Sequence, residues 1–219
     1  VVIADTILAA LAAESYADDP APLMGWDMAH VRDDDTDTDA LFCRTVTGEV
    51  VLAVRGTDSA RDWWRHCRAW PREYRSAAGV IPGRVHPAWA ASADALYRLA
   101  VGVVQDTSEC SALYVVGHSL GGAVAQLLAV MLWRSAPTVH VVTWGAPPAG
   151  NREFGNYLAA VANTHTRYVV GLDKVTRIAA MYALGYRHAC PATRLPSPTW
   201  WPYDDHGMAG YLAAMEGVV

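Results

Sequence analysis

The chain has 219 residues, of which 53% are apolar and 18% charged, with a formal net charge of −5. That is too apolar for intrinsic disorder and too acidic for a protein that grips nucleic acid through a basic patch. No apolar run approaches the roughly 18 residues that a membrane-spanning helix needs. Lys174 is the only lysine among 17 basic residues, and no glycine precedes it at the spacing of a phosphate-binding loop. The four cysteines, Cys43, Cys67, Cys110 and Cys190, include no Cys-x-x-Cys pair, so a zinc knuckle or a thioredoxin-type site has no support. Two disulfides or none are both compatible with that spacing. The chain starts at Val1, and its first segment carries Asp5 and Glu14 without a basic stretch, so it does not read as a signal peptide.

In chain order, 3–16 is rich in Ala and Leu, with Ile3, Ile7, Leu8 and Leu11 spaced for one helical face. Pro20 and Pro22 end it. The acidic run 33–39 cannot bury itself and reads as surface loop. Segments 41–46 and 50–54 read as strands joined by Thr47-Gly48-Glu49. Segment 59–70 reads as a helix with Ser59 as cap, and 87–106 as a long helix. From Leu113 onward short β-branched runs alternate with helices: strand 113–116, helix 120–134, strand 139–143, helix 152–163, strand 166–172. A short helix over 208–215 follows. Such alternation predicts an α/β domain over 1–219, a mostly parallel sheet covered by helices on both faces.

Gly117-His118-Ser119-Leu120-Gly121 fits Gly-x-Ser-x-Gly and lies between a predicted buried strand and a predicted helix. There a sharp turn lifts the serine hydroxyl clear of the sheet, and glycines are needed because a Cβ would strike the neighbouring strand or helix. A serine hydroxyl is a weak nucleophile until a base takes its proton, and the base needs a carboxylate to orient it. In sheets of this kind the chain order is Ser, acid, His. Asp173 is the acid that falls just past a predicted strand end, on the edge where Ser119 emerges, whereas Glu153 begins a helix. Asp204 and Asp205 abut His206 too closely to reach its ring. Both His188 and His206 follow Asp173, and the order rule does not separate them. The position of His206 in a loop before a short helix favours it. The side chain of His118 is expected to diverge from the hydroxyl of its neighbour and is grouped with residues that meet substrate. The backbone N–H of Leu120 is one expected oxyanion donor. Thr57, closing the turn Arg55-Gly56-Thr57, is the other.

Together these motifs resemble the class 3 lipase family, fungal-lipase-like triacylglycerol hydrolases of the α/β-hydrolase fold. Val51-Leu52-Ala53-Val54-Arg55-Gly56-Thr57 is similar to its strand ending in Arg-Gly-Ser/Thr, and Asp62-Trp63-Trp64 to the start of its lid. Val85-His86, Gly117 to Gly122, Thr143-Trp144-Gly145-Ala146-Pro147 and Gly150-Asn151 match in order. Asp173-Lys174-Val175 resembles its acid motif, although Thr176-Arg177-Ile178 stands where the family often has Pro. Asp205-His206 with Tyr211 resembles its catalytic Asp-His…Tyr ending, and Tyr186-x-His188 a non-catalytic motif upstream. The resemblance implies Ser119, Asp173 and His206 as a triad acting on carboxylic esters.

Trp63 and Trp64 lie in a segment that mixes tryptophan and arginine, suited to an apolar–water boundary. It reads either as a lid touching acyl chains or as a helix packed on the core. Trp200 and Trp201 invite the same two readings. Asp35-x-Asp37-x-Asp39 lacks the glycine and glutamate of a calcium loop. No metal and no cofactor are expected. The expected partner is an ester or lipid substrate, with transient contact at a lipid interface and no nucleic acid. The rival readings are phospholipase or acyl-transfer chemistry on the same residues, and a binding protein that keeps the fold without turnover.

Overall fold

A computed structural model describes residues 2–56, 69–106, 110–197 and 205–217. Seven strands form one sheet in the order β1-β2-β3-β6-β7-β8-β9, and β4 pairs with β5 in a separate hairpin. The strands are β1 (Trp26–Asp33), β2 (Thr38–Thr45), β3 (Glu49–Val54), β4 (Arg72–Ser76), β5 (Gly79–Val85), β6 (Ala112–His118), β7 (Val139–Trp144), β8 (Thr164–Val170) and β9 (Thr193–Leu195). The helices are α1 (Asp5–Glu14), α2 (Pro87–Asp106), α3 (Leu120–Leu132), α4 (Arg152–Val161), α5 (Ala179–Ala183) and α6 (Met208–Glu216). β1 to β3 run antiparallel, and β3, β6, β7, β8 and β9 run parallel.

Side chains of a strand alternate between faces, and here the alternation sorts the core into two layers. Leu52, Val54, Leu113 and Val115 pack with Leu96 of α2 and Leu127 of α3. Val51, Ala53, Tyr114 and Val116 pack with Leu8 and Leu11 of α1 and Tyr211 of α6. β3 and β6 are buried at every position, which explains their apolar runs, Val50 to Val54 and Ala112 to Val116. α3 is buried throughout after its first residue, and its one amide, Gln126, donates to the Gly122 carbonyl at 3.1 Å.

The expected layered α/β architecture is present, with local differences. β1 and the β4–β5 hairpin are absent from the sequence reading, because edge strands such as Trp-Asp-Met-Ala-His-Val-Arg-Asp carry polar residues that blur a strand signal. The acidic run is not wholly loop. Asp33 ends β1, and Asp39 lies in β2, where pairing brings it 2.9 Å from Nδ1 of His30. Ile7 is exposed, and the buried face of α1 is Leu8, Ala9, Leu11 and Ala12. Residues 59–68 of the predicted segment 59–70, and Trp200 and Trp201, lie outside the described residues.

Candidate active site

Ser119 sits between the last residue of β6 and the first of α3, with φ 55° and ψ −126°. Few L-residues adopt such a backbone, and it raises the side chain off the parallel sheet. The surrounding glycines make the turn possible. A Cβ on Gly117 would come within 2.5 Å of the Gly121 backbone, and one on Gly122 within 2.7 Å of Ala146 Cβ. A Cβ on Gly121 would collide with the Val54 carbonyl of β3.

His206, in the turn that leads into α6, brings Nε2 to 2.8 Å from Ser119 Oγ. Its Nδ1 lies 2.9 Å from Oδ2 of Asp173. Asp173 follows β8 and is 1% exposed. A buried carboxylate is costly unless its lone pairs are used, and here they are. Tyr211 Oη donates to Oδ2 at 2.7 Å and the Val175 N–H to Oδ1 at 2.9 Å. Burial, followed by the Asp173 charge, pushes the Tyr211 hydroxyl well above the usual phenol range, so it stays a donor. Gly145 (φ 62°) leaves the room this cluster needs, since a Cβ there would lie 2.7 Å from Asp173 Oδ2 and 3.2 Å from His206 Nδ1. The sequence reading contained the glycine without this spatial role.

The geometry separates the two candidate bases. His188 turns to the Thr176 carbonyl, to which Nε2 donates at 2.8 Å, and its Nδ1 is buried with no hydrogen-bond partner among the described residues. Burial, then the nearby Arg167 charge, lowers its pKa to about 4. Leu120 is the first residue of α3, and its N–H belongs to the first turn, which a helix leaves without internal partners. Thr57, Trp63 and Trp64 lie outside the described residues. The Arg55-Gly56 turn does abut the elbow, because a Cβ on Gly56 would lie 2.9 Å from the His118 carbonyl.

His118, grouped in the sequence reading with residues that meet substrate, lies within the fold. It is 6% exposed, and its ring is occupied on both nitrogens. Nδ1 lies 2.9 Å from Tyr16 Oη and Nε2 2.6 Å from the His206 carbonyl. The elbow turns the Ser119 and His118 side chains apart, so the ring points inward beneath the His206 turn. Among the described residues no group of His, Cys, Asp or Glu could hold a metal ion, and no helix is long and apolar enough to cross a membrane. Among the described residues, Cys43 and Cys190 are free thiols.

A mostly parallel sheet between helical layers, with a serine elbow at a strand's C-terminal end, defines the α/β-hydrolase fold. The Rhizomucor miehei lipase in its propeptide complex superposes with TM-score 0.72 and 22% identity, covering 92% of this chain and 71% of that one. The profile of the class 3 lipases matches residues 51–183, and the chain belongs to that family. It is 31% identical over 145 residues to a secreted mono- and diacylglycerol lipase of Fusarium solani, across 65% of this chain and 43% of that protein. It is 28% identical over 205 residues to a Rhizomucor miehei lipase, across 84% of this chain and 55% of that protein. The match therefore spans about half the length of these relatives.

Proposed function

We propose that the chain, as one α/β-hydrolase domain over 1–219, is a serine lipase that hydrolyses acylglycerol esters through an acyl-enzyme. The observation that carries this reading is the pair of hydrogen bonds from Ser119 through His206 to the buried Asp173. His206 Nε2 takes the Ser119 proton as Oγ attacks the ester carbonyl, and the Asp173 charge stabilises the imidazolium that results. The oxyanion develops beside the N-terminus of α3, where the Leu120 N–H and Thr57 are its donors. Collapse of the tetrahedral adduct expels the alcohol, which receives the proton from His206. Water, deprotonated by the same imidazole, then attacks the acyl-serine and frees the acid. Trp63 and Trp64 contact acyl chains from a lid segment, and the protein meets lipid interfaces transiently. The name of the Fusarium solani relative, a secreted mono- and diacylglycerol lipase, supports the glyceride class.

The test is hydrolysis of p-nitrophenyl esters from acetate to palmitate and of mono-, di- and triacylglycerols, with Ser119→Ala alongside. Activity is expected to fall about 10⁴-fold or more in the variant, since the nucleophile and its base act as a unit. A folded Ser119→Ala protein with wild-type turnover would remove Ser119 from the mechanism. Phospholipid cleavage exceeding glyceride cleavage would move the substrate assignment to the phospholipase reading.

A further inference from the structure

We infer that His118 is a positioning residue for the base, holding the His206 peptide in place through a hydrogen bond from its Nε2–H to the His206 carbonyl. The inference rests on the reading of Ser119, His206 and Asp173 given above and adds what fixes the loop that carries the base. His206 precedes α6 in a turn, not within a helix or strand, and sites carried on loops hold their geometry only when their support is locked. Its imidazole is tethered at both nitrogens, but those bonds change during turnover as the proton moves. A tether on the main chain does not.

The chemistry of the partners sets the tautomer of His118. The His206 carbonyl, 2.6 Å from Nε2, can only accept, so Nε2 carries the proton. Nδ1 is then the acceptor, and the Tyr16 hydroxyl donates to it at 2.9 Å. Burial, followed by the proximity of His206, lowers the His118 pKa to about 4, so the ring stays neutral while His206 cycles 4.9 Å away, centroid to centroid. A second tether comes from the other flank. Asp205, 2% exposed, accepts from the Leu172 N–H at 2.9 Å and from the Ser197 hydroxyl at 2.6 Å. Gly171 (φ 44°) permits this approach, since a Cβ would collide with the Asp205 carboxylate. The base turn is thus bonded to the segment that carries the nucleophile and to the segment that carries the acid.

The test exploits side-chain length. An Asn amide reaches only the position of Nδ1, so His118→Asn keeps the Tyr16 side and loses the bond to His206. His118→Phe fills the space without either bond. A Gln amide reaches the position of Nε2 and restores the donor. On p-nitrophenyl butyrate, kcat is expected to fall about 10- to 100-fold in His118→Asn and His118→Phe with KM within about twofold, and to return to within about fivefold of wild type in His118→Gln. Wild-type kcat in the folded Asn and Phe variants, or failure of Gln to restore it, would overturn the assignment. Tyr16→Phe, one oxygen smaller, provides a second variant should the others not fold. It should lower kcat about threefold to tenfold at constant KM, and an unchanged kcat overturns the tautomer lock. Ser119→Ala in the same series keeps the two readings apart. If it retains turnover, the site reading fails. If it is inactive while the His118 variants match wild type, only the positioning role fails.

Discussion

At the scale of single residues, the proposed nucleophile occupies a backbone that its own Cβ disfavours. Ser119 at φ 55°, ψ −126° carries strain of the kind that costs about 1–3 kcal/mol for a residue other than glycine. Glycine relieves it, at the expense of greater freedom in the unfolded chain. Ser119→Gly is therefore expected to be about 1 kcal/mol more stable than Ser119→Ala, which keeps the Cβ and also lacks the hydroxyl. Thermal unfolding of the two inactive variants checks this, and a Ser119→Gly midpoint at or below that of Ser119→Ala would contradict it. The adjacent residue shows the limit of reading a motif alone. The x of Gly-x-Ser-x-Gly was expected to diverge from the hydroxyl, and its ring is hydrogen-bonded to Tyr16 and to the His206 carbonyl. Its partners lie far away in sequence, and no local pattern encodes them.

At the scale of elements, the packing of α3 against β3 and β6 aims the site. The glycines at the elbow differ in kind from the glycine of α2, Gly102. Gly121 lies against the Val54 and Arg55 main chain, so Gly121→Ala must push α3 away from β3. A loss of about 3 kcal/mol and displacement of the elbow are expected. At Gly102, on the exposed side of α2 near its C-terminal end, an added Cβ meets nothing within 4 Å. Gly102→Ala should stabilise by about 0.5–1 kcal/mol through helix propensity alone. Urea unfolding of both variants reads the contrast directly, and similar effects of one sign would refute the packing account. The strands that frame α3 were legible because they are buried on both faces and carry apolar runs, Val50 to Val54 and Ala112 to Val116. β1 and the β4–β5 hairpin were not, because a half-solvated strand mixes the two residue types.

At the scale of the whole molecule, three histidines are folded in as neutral groups. His118, His165 and His188 all have their pKa lowered to about 4, by burial first in each case. An unfolded histidine titrates near 6.5, so between about 6.5 and 4 the unfolded chain holds protons that the folded chain does not. Stability then falls as pH drops through that window and does not depend on these groups above it. Each contributes a slope of up to about 1.4 kcal/mol per pH unit. The expected result is a falling unfolding midpoint from pH 6.5 to 4, with net proton uptake on unfolding measured by calorimetry in buffers of different ionisation enthalpy. A midpoint that stays level between pH 7 and 5 would exclude it. The same low pKa values keep His188 and His118 uncharged at neutral pH, where the base must act.

The sequence by itself determined the layered α/β scaffold, the serine at a strand-to-helix elbow and the acid at a strand end. Those features are written in local periodicity and in glycines whose need is local. Chain order alone did not separate His188 from His206, since both follow Asp173, and His206 was favoured by its loop position and by the Asp205-His206…Tyr211 resemblance. The tertiary structure supplies the distances that chain order lacks, by folding the turn before α6 back over the ends of β6 and β8, so that His206 reaches Ser119 and Asp173 while His188 bonds the Thr176 carbonyl. It also decided what supports that turn. Hydrogen bonds from Tyr16 to His118 and from Leu172 and Ser197 to Asp205 join segments distant in the chain. Such bonds form only once hydrophobic burial has set the layers, and directional contacts of that kind leave no periodic trace in the sequence.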